Sequence, residues 1–345
     1  MIPAVLLNDT SFNNHHGCNK VVTNINLFFS ECNIKILYGN PLGTNWRANE
    51  HFMRNLRKAK VLIINGEGTI HHNRERGLLL LEAIPIARKL GLKVFLINMT
   101  YQENPKSYEK YLQQADLITV RESLSQKELQ KANLKALLVP DFTFFHFSNP
   151  AQSGVTQKTL ITDSVHHELS QQLKKLTSEL PDTEFFPIWV RNPNELFWSR
   201  FSTKFIKLPS KMTLKRLFSN PKELISVYRM NSALYAHTVE KHKDFIGKIK
   251  NSNAIICARF HSLCMAIQQQ RKFIAIKSNT FKMESLIYDI GLSPKRVVKM
   301  DDIQHSIEIP DFSKEEKDNI ERYLLFSAKQ FTKMKEMVNE QMATL

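Results

Sequence analysis

Short, β-branched apolar runs alternate with stretches of helical periodicity along most of this chain, and few folds tolerate that order. Runs at 61–65, 94–98, 117–120 and 136–139 are too short for helices and too uniformly apolar for half-exposed strands. Helical patterns at 75–90, 105–114 and 123–132 lie between them. Strand, crossover helix and strand make a parallel pair, so the series predicts a parallel sheet covered by helices. A second series has runs at 159–162, 184–190, 254–257, 273–277 and 297–300, with helices at 165–180, 230–251 and 262–270. Around Ser148, Asn149, Pro150, Gln152, Ser153 and Gly154 the chain turns polar, which marks a boundary. The expected organisation is an α/β domain over 1–150, a second over 151–312, and a long amphipathic helix over 313–345 that packs back on the first. A chain of 345 residues is long enough for two separate cores.

The apolar segment 1–7 lacks a basic lead-in and ends at Asn8-Asp9, so it reads as a first buried strand and not a signal peptide. No run approaches the length of a transmembrane helix. Cys18, Cys32, Cys257 and Cys264 form no CxxC pair and read as free thiols of a reducing compartment. A cytoplasmic protein is expected. Its charge is +15, from 48 Lys and Arg against 33 Asp and Glu. Much of the excess lies between Arg200 and Arg229, where Lys204, Lys207, Lys211, Lys215, Arg216 and Lys222 face one acid, Glu223. Phe197, Trp198, Phe201, Phe205 and Phe218 are interleaved, so 197–229 suits either a packed surface helix or the inner face of an anionic membrane. No DNA- or RNA-binding motif accompanies the charge, and nucleic acid is not the expected partner.

The densest chemistry is in Ala258-Arg259-Phe260-His261-Ser262-Leu263. A buried strand ends just before it and a helix starts just after, so Arg259 and His261 fall in the turn and Ser262 is placed to cap the helix. Backbone N–H groups, a cation and an imidazole then converge on a site for phosphate or carboxylate. Ligands of parallel sheets bind beyond the carboxyl ends of the strands. Gly66, Glu67 and Gly68, then Thr100 and Gln102, then Arg121, then Asp141 all fall at such ends. His16 sits in the loop after the first strand and is expected to line the same cleft. The pairs His15-His16 and His71-His72 lack metal spacing, and neighbours on a strand face opposite ways, so no metal is expected.

Three blocks together resemble the polysaccharide pyruvyl transferase family. The first is Arg259-Phe260-His261 followed by Ser278-Asn279-Thr280-Phe281-Lys282 and Leu286-Ile287-Tyr288-Asp289-Ile290-Gly291. The second is Ile63-Ile64-Asn65-Gly66-Glu67-Gly68-Thr69; the third is Thr119-Val120-Arg121-Glu122-Ser123-Leu124-Ser125, with Pro140-Asp141 after it. The resemblance implies two Rossmann-like domains in a GT-B-like arrangement. It also implies transfer of the enolpyruvyl group of phosphoenolpyruvate onto sugar hydroxyls, closed as a ketal, with no cofactor. The acceptor would be a sugar of a cell-surface glycan or its lipid-linked precursor. Arg259 and Arg121 would hold the donor's carboxylate and phosphate, helped by Ser262, Gly66 and Gly68. His261 is the first candidate for acid–base work, with Glu67, His71 and His72 behind it. Thr100, Gln102, Asp141 and His16 would face the acceptor.

The first loop, Asn8-Asp9-Thr10-Ser11-Phe12-Asn13-Asn14-His15-His16-Gly17, departs from the family's Gly-rich form, and Gly-Glu-Gly stands where three glycines are frequent. A subfamily with another donor is therefore the alternative: a GT-B-like glycosyltransferase using a nucleotide-activated sugar such as a CMP-linked ulosonic acid. A catalytically silent glycan- or membrane-binding protein is the third reading. The oligomeric state is left open.

Overall fold

The computed structural model describes residues 1–13, 15–146, 156–189, 242–303 and 308–345. Its first sheet contains β1 (Ile2–Asp9), β2 (Ile34–Pro41), β3 (Val61–Glu67), β4 (Lys93–Met99), β5 (Leu117–Val120) and β6 (Leu137–Leu138). They run parallel in the order β2-β1-β3-β4-β5-β6. Leu6 lies opposite Ile63, Ile63 opposite Phe95, and Phe95 opposite Leu117. Every residue of β3 and β5 is buried, because helices cover both faces, and that is why these runs show no polar alternation. The second sheet holds β7 (Thr159–Ile161), β8 (Thr183–Phe185), β9 (Ala254–Cys257), β10 (Lys272–Ile276) and β11 (Val297–Val298). It too is parallel, ordered β11-β10-β9-β7-β8. The strand order reverses between β1 and β3 in one sheet and between β7 and β9 in the other. Crevices at the carboxyl ends open at such reversals.

One apolar cluster joins the inner faces of the two sheets through helices His16–Glu31, Phe260–Gln268 and Lys282–Ile290. The C-terminal helix Lys314–Ala343 adds Phe331, which meets Phe28, Phe142 and Phe145 beside the first sheet. Lys335 pairs with Glu31 of the same side. Ser313 and Glu316 cap the helix reciprocally, and Glu316 is also gripped by buried Arg296. Among the described residues no helix is long and apolar enough to cross a membrane.

Several expected elements differ in detail. The helix expected at 75–90 is two helices, Glu75–Leu81 and Ala83–Lys89, since Pro85 has no N–H to give the Leu81 carbonyl. Segment 105–114 holds only a 3-10 turn and the short helix Glu109–Leu112. The strand expected at 184–190 ends at Phe185, ahead of Pro187. Strand β2 and helices His16–Glu31, Glu50–Leu56 and Lys282–Ile290 were not anticipated. The polar boundary at 148–154, the basic run 197–229 and the start of the helix expected at 230–251 lie outside the described residues; its described part is His242–Asn251.

Candidate functional site

On the first sheet the site begins where β3 ends. Glu67 takes a positive φ of 35°, a strained conformation for a residue with a side chain. Its Oε1 accepts from Thr10 Oγ1 at 2.6 Å and Asn65 Nδ2 at 2.9 Å, which closes the β1–β3 crevice. Cys18 Sγ lies 3.8 Å from Oε2, and burial together with the Glu67 charge pushes that thiol well up. Gly66 is tight for a simple reason: a Cβ there would lie 2.7 Å from the Met99 Cβ.

Arg121 follows β5 and is 2% exposed. Its Nε donates to Thr100 Oγ1 at 2.9 Å and its Nη1 to Asp141 Oδ2 at 2.9 Å. The guanidinium lies 4.3 Å over the Phe260 ring, from the second-sheet side. Pro140 follows two residues after β6, and Asp141 then caps a short 3-10 turn by accepting from the Thr143 amide. Burial opposes ionisation of Asp141, but His261 and Arg121 hold its carboxyl well below the usual range. Glu122 accepts from Ser125 and Thr100, and burial pushes its carboxyl up to about 7. The Arg-acid-x-x-Ser motif is thus a scaffold that fixes Arg121.

On the second sheet Arg259 follows β9 and is the N-cap of Phe260–Gln268. Its Nε and Nη2 reach Asp163 Oδ2 at 2.8 and 2.7 Å, across the β7–β9 crevice, and Nη2 also donates to the Ser164 carbonyl at 2.8 Å. Trp189 lies 5.4 Å from the guanidinium. Buried His261 turns Nε2 to within 3.6 Å of Asp141 Oδ2, and that nitrogen makes no hydrogen bond. Asp141 therefore faces Arg121 and His261 with the same oxygen.

The expected residues divide into three groups. Arg121, Asp141, His261 and Glu67 come together at the facing strand ends, with Arg259 close enough for its charge to bear on His15, Cys18 and Lys282. Both arginines are already paired with carboxylates, so neither is a bare anion clamp. Thr100 orients Arg121, and Gln102 joins the sheets by accepting from the Phe281 amide at 3.0 Å. Three placements correct the sequence reading. Ser262 is not the cap; the helix starts two residues earlier, and its hydroxyl sits at N3, bonded to the Arg259 backbone. His16 is not in a loop: it opens the helix His16–Glu31 and stacks on Phe245 at 4.3 Å. His71 Nε2 meets the Gly68 carbonyl at 3.1 Å, and burial with the Arg74 and Lys282 charges lowers it to about 4, so it holds the glycine loop as a neutral ring.

Sequence reasoning missed His15, Cys18, Asp163 and Lys282. His15 Nδ1 accepts from the Cys18 amide at 3.1 Å as the helix cap, and its ring stands edge-on to His261 at 5.6 Å. Burial and the Arg259 charge lower its basicity strongly. Ligand atoms of His15, Cys18 and His261 lie within 4.8 Å of one another, a metal-compatible grouping, although His15 Nδ1 is committed to the cap. Lys282 begins its helix and is 9% exposed. Its place after Asn279-Thr280-Phe281, in the loop beyond β10, was the available signal.

The family model for polysaccharide pyruvyl transferase matches residues 26–280. No significant match was found among proteins of curated function. Among solved structures, UDP-GlcNAc 2-epimerase of Methanocaldococcus jannaschii with UDP-GlcNAc and UDP superposes with a TM-score of 0.47 at 12% identity, covering 94% of this chain and 100% of that one. A putative UDP-N-acetylglucosamine 2-epimerase of Listeria monocytogenes gives 0.48 at 10% identity, covering 98% and 91%. An alpha-glucosyltransferase in complex with UDP and DNA gives 0.44 at 8% identity, covering 99% and 94%.

Proposed function

Because the chain belongs to the polysaccharide pyruvyl transferase family, we propose that it transfers the enolpyruvyl group of phosphoenolpyruvate to a sugar and closes it as a ketal. The observation that carries this reading is His261, whose unbonded Nε2 faces Asp141 while Asp141 is held by Arg121. A proton supplied by His261 goes to the donor's methylene carbon as the double bond is spent. A sugar hydroxyl adds to the adjacent carbon, the C–O bond to phosphate breaks, and a second hydroxyl closes the ring. One hydroxyl proton replaces the one His261 gave; the other leaves with phosphate. Asp141 balances the imidazolium charge throughout. Among the described residues Arg259 keeps its Nη1 hydrogens beyond the bonds to Asp163 and Ser164, which suits a carboxylate.

The acceptor in this reading is a sugar of a surface polysaccharide or its lipid-linked precursor. The basic, aromatic run 197–229 then docks the enzyme on an anionic membrane. The deciding experiment supplies phosphoenolpyruvate or a CMP-linked acidic sugar with a panel of lipid-linked oligosaccharides. Phosphate release with a glycan product that gains a pyruvate ketal supports the reading. Turnover of the nucleotide sugar alone makes this a glycosyltransferase instead.

A further inference from the structure

We propose that Lys282, Arg121 and the bare backbone of Gly68 form the subsite for the donor's phosphate group. This rests on taking the cleft as the donor site, but not on the donor being phosphoenolpyruvate, because a nucleotide sugar also carries phosphate.

Lys282 is a buried cation of this cleft without a carboxylate partner among the described residues. It is 9% exposed, and its amine makes no hydrogen bond or ion pair among the described residues. Arg121 and Arg259 both have carboxylate partners. Taking an ammonium out of water without a partner is unfavourable, and a fold keeps such a group where a ligand supplies the opposite charge. The surroundings sharpen this. Burial and the charges of Arg121, Arg74 and Arg259 lower the amine to about 8, opposed only by Glu122. Glu122 is itself tied to Ser125 and Thr100.

Gly68 shows where the anion sits. Its φ lies outside the left-handed region, so the backbone conformation does not call for glycine. The missing side chain leaves space instead: a Cβ would meet Arg121 Nη2 at 3.6 Å and Lys282 Nζ at 3.8 Å. Neither nitrogen is committed elsewhere among the described residues; Arg121 spends Nε and Nη1 on Thr100 and Asp141. Two donors from different sheets thus converge over one bare residue. His71 holds the Gly68 carbonyl at 3.1 Å. The carboxylate end of the donor falls to Arg259.

The test is calorimetric titration of the full chain with inorganic phosphate, phosphoenolpyruvate, pyruvate and CMP. Wild type is compared with Lys282→Met, Lys282→Arg and Gly68→Val, each first checked for a cooperative melt. We expect Lys282→Met to weaken phosphate and phosphoenolpyruvate by roughly tenfold or more, the loss of one charged hydrogen bond, with pyruvate little changed. Gly68→Val fills the gap, keeps the amine and should do the same; Lys282→Arg should retain binding. Wild-type phosphate affinity should fall as pH rises through about 8, and that fall should vanish in Lys282→Met. A folded Lys282→Met or Gly68→Val with wild-type phosphate affinity overturns the subsite. If phosphoenolpyruvate fails to bind but CMP binds and is weakened by Lys282→Met, the subsite stands and the pyruvyl transfer reading falls.

Discussion

Gly17 and His261 occupy the same space from opposite sheets: a Cβ on Gly17 would lie 2.3 Å from the Cβ of His261 and 2.6 Å from its Nδ1. The glycine is the second residue of helix His16–Glu31, whose start is tied to the second sheet through His16 N to the Ile188 carbonyl. The placement of the acid–base candidate thus depends on a missing side chain in the other half of the molecule. Glycine inside a helix is otherwise unfavourable by about 1 kcal/mol relative to alanine. Contact and propensity therefore oppose each other in Gly17→Ala. The contact is below any real Cβ separation and should win, giving a lower melting temperature and roughly a 100-fold loss of turnover, as expected when a proton donor is displaced. A variant that melts higher and keeps full turnover would remove His261 from the site.

Asp141→Asn keeps the shape of the side chain but removes the charge shared by Arg121 and His261. Turnover should fall roughly 100-fold, since Asp141 acts on the reaction through His261 and Arg121 and not on substrate. The variant should also be less stable at pH 7. The sign with pH follows from the depressed folded-state value of Asp141. Its unfolded value is about 3.9. Its contribution is complete above that value and fades as pH falls through the lower folded one. The gap in melting temperature between wild type and variant should therefore hold constant from neutral pH to about 5 and shrink only as the pH falls below about 4.

Glu122 shifts the other way. Its carboxyl is raised to about 7 by burial, against about 4.3 in an unfolded chain. Between those values the folded state binds more protons, so wild-type stability declines as pH rises and levels off above about 7. Glu122→Gln mimics the protonated acid and should cancel that decline. Thermal melts at pH 4 and pH 8 decide it: near-equal midpoints for the two proteins at about pH 4, with the variant higher at about pH 8.

The sheet strands were legible because helices cover both faces, leaving uniform apolar runs such as the one that became β3. Arg121, Asp141, Arg259 and His261 were legible because parallel strands deliver their next residues to one edge, and that geometry needs no knowledge of loops. What escaped was mostly helical. His16–Glu31 carries Gly17, Asn19, Asn24 and Asn26, poor helix formers that look like loop in isolation. Packing of Val21, Ile25, Phe28 and Phe29 into the core overrides that preference. Missing the helix put His16 in a loop and hid the role of His15 as its cap. The partner of Arg259 was also hidden, because Asp163 lies far from it in sequence and meets it only across a strand-order reversal.

Arg296 anchors the C-terminal helix with all five of its N–H groups engaged. Nε and Nη2 hold both oxygens of Glu316 at 2.8 and 2.7 Å, Nη1 donates to the Phe273 and Pro310 carbonyls, and Nη2 also reaches the Asp311 carbonyl. Phe273 and Phe312 stand 5.5 and 4.4 Å from the guanidinium. Arg296→Met strands Glu316 beside the apolar cluster and should cost about 3–5 kcal/mol, the usual penalty for breaking a buried pair. Arg296→Lys should rescue little, since a point charge cannot replace a planar fork. The bond from Arg296 lowers Glu316 to about 2, below the unfolded value of about 4.3. This stabilisation is present above the unfolded value and lost as pH falls toward the folded one. Urea midpoints of both variants at neutral pH, and of wild type from neutral pH down to about 3, test the sign. A wild-type midpoint that Arg296→Met leaves unmoved would mean that the long helix is held by Phe331 and its aromatic neighbours alone.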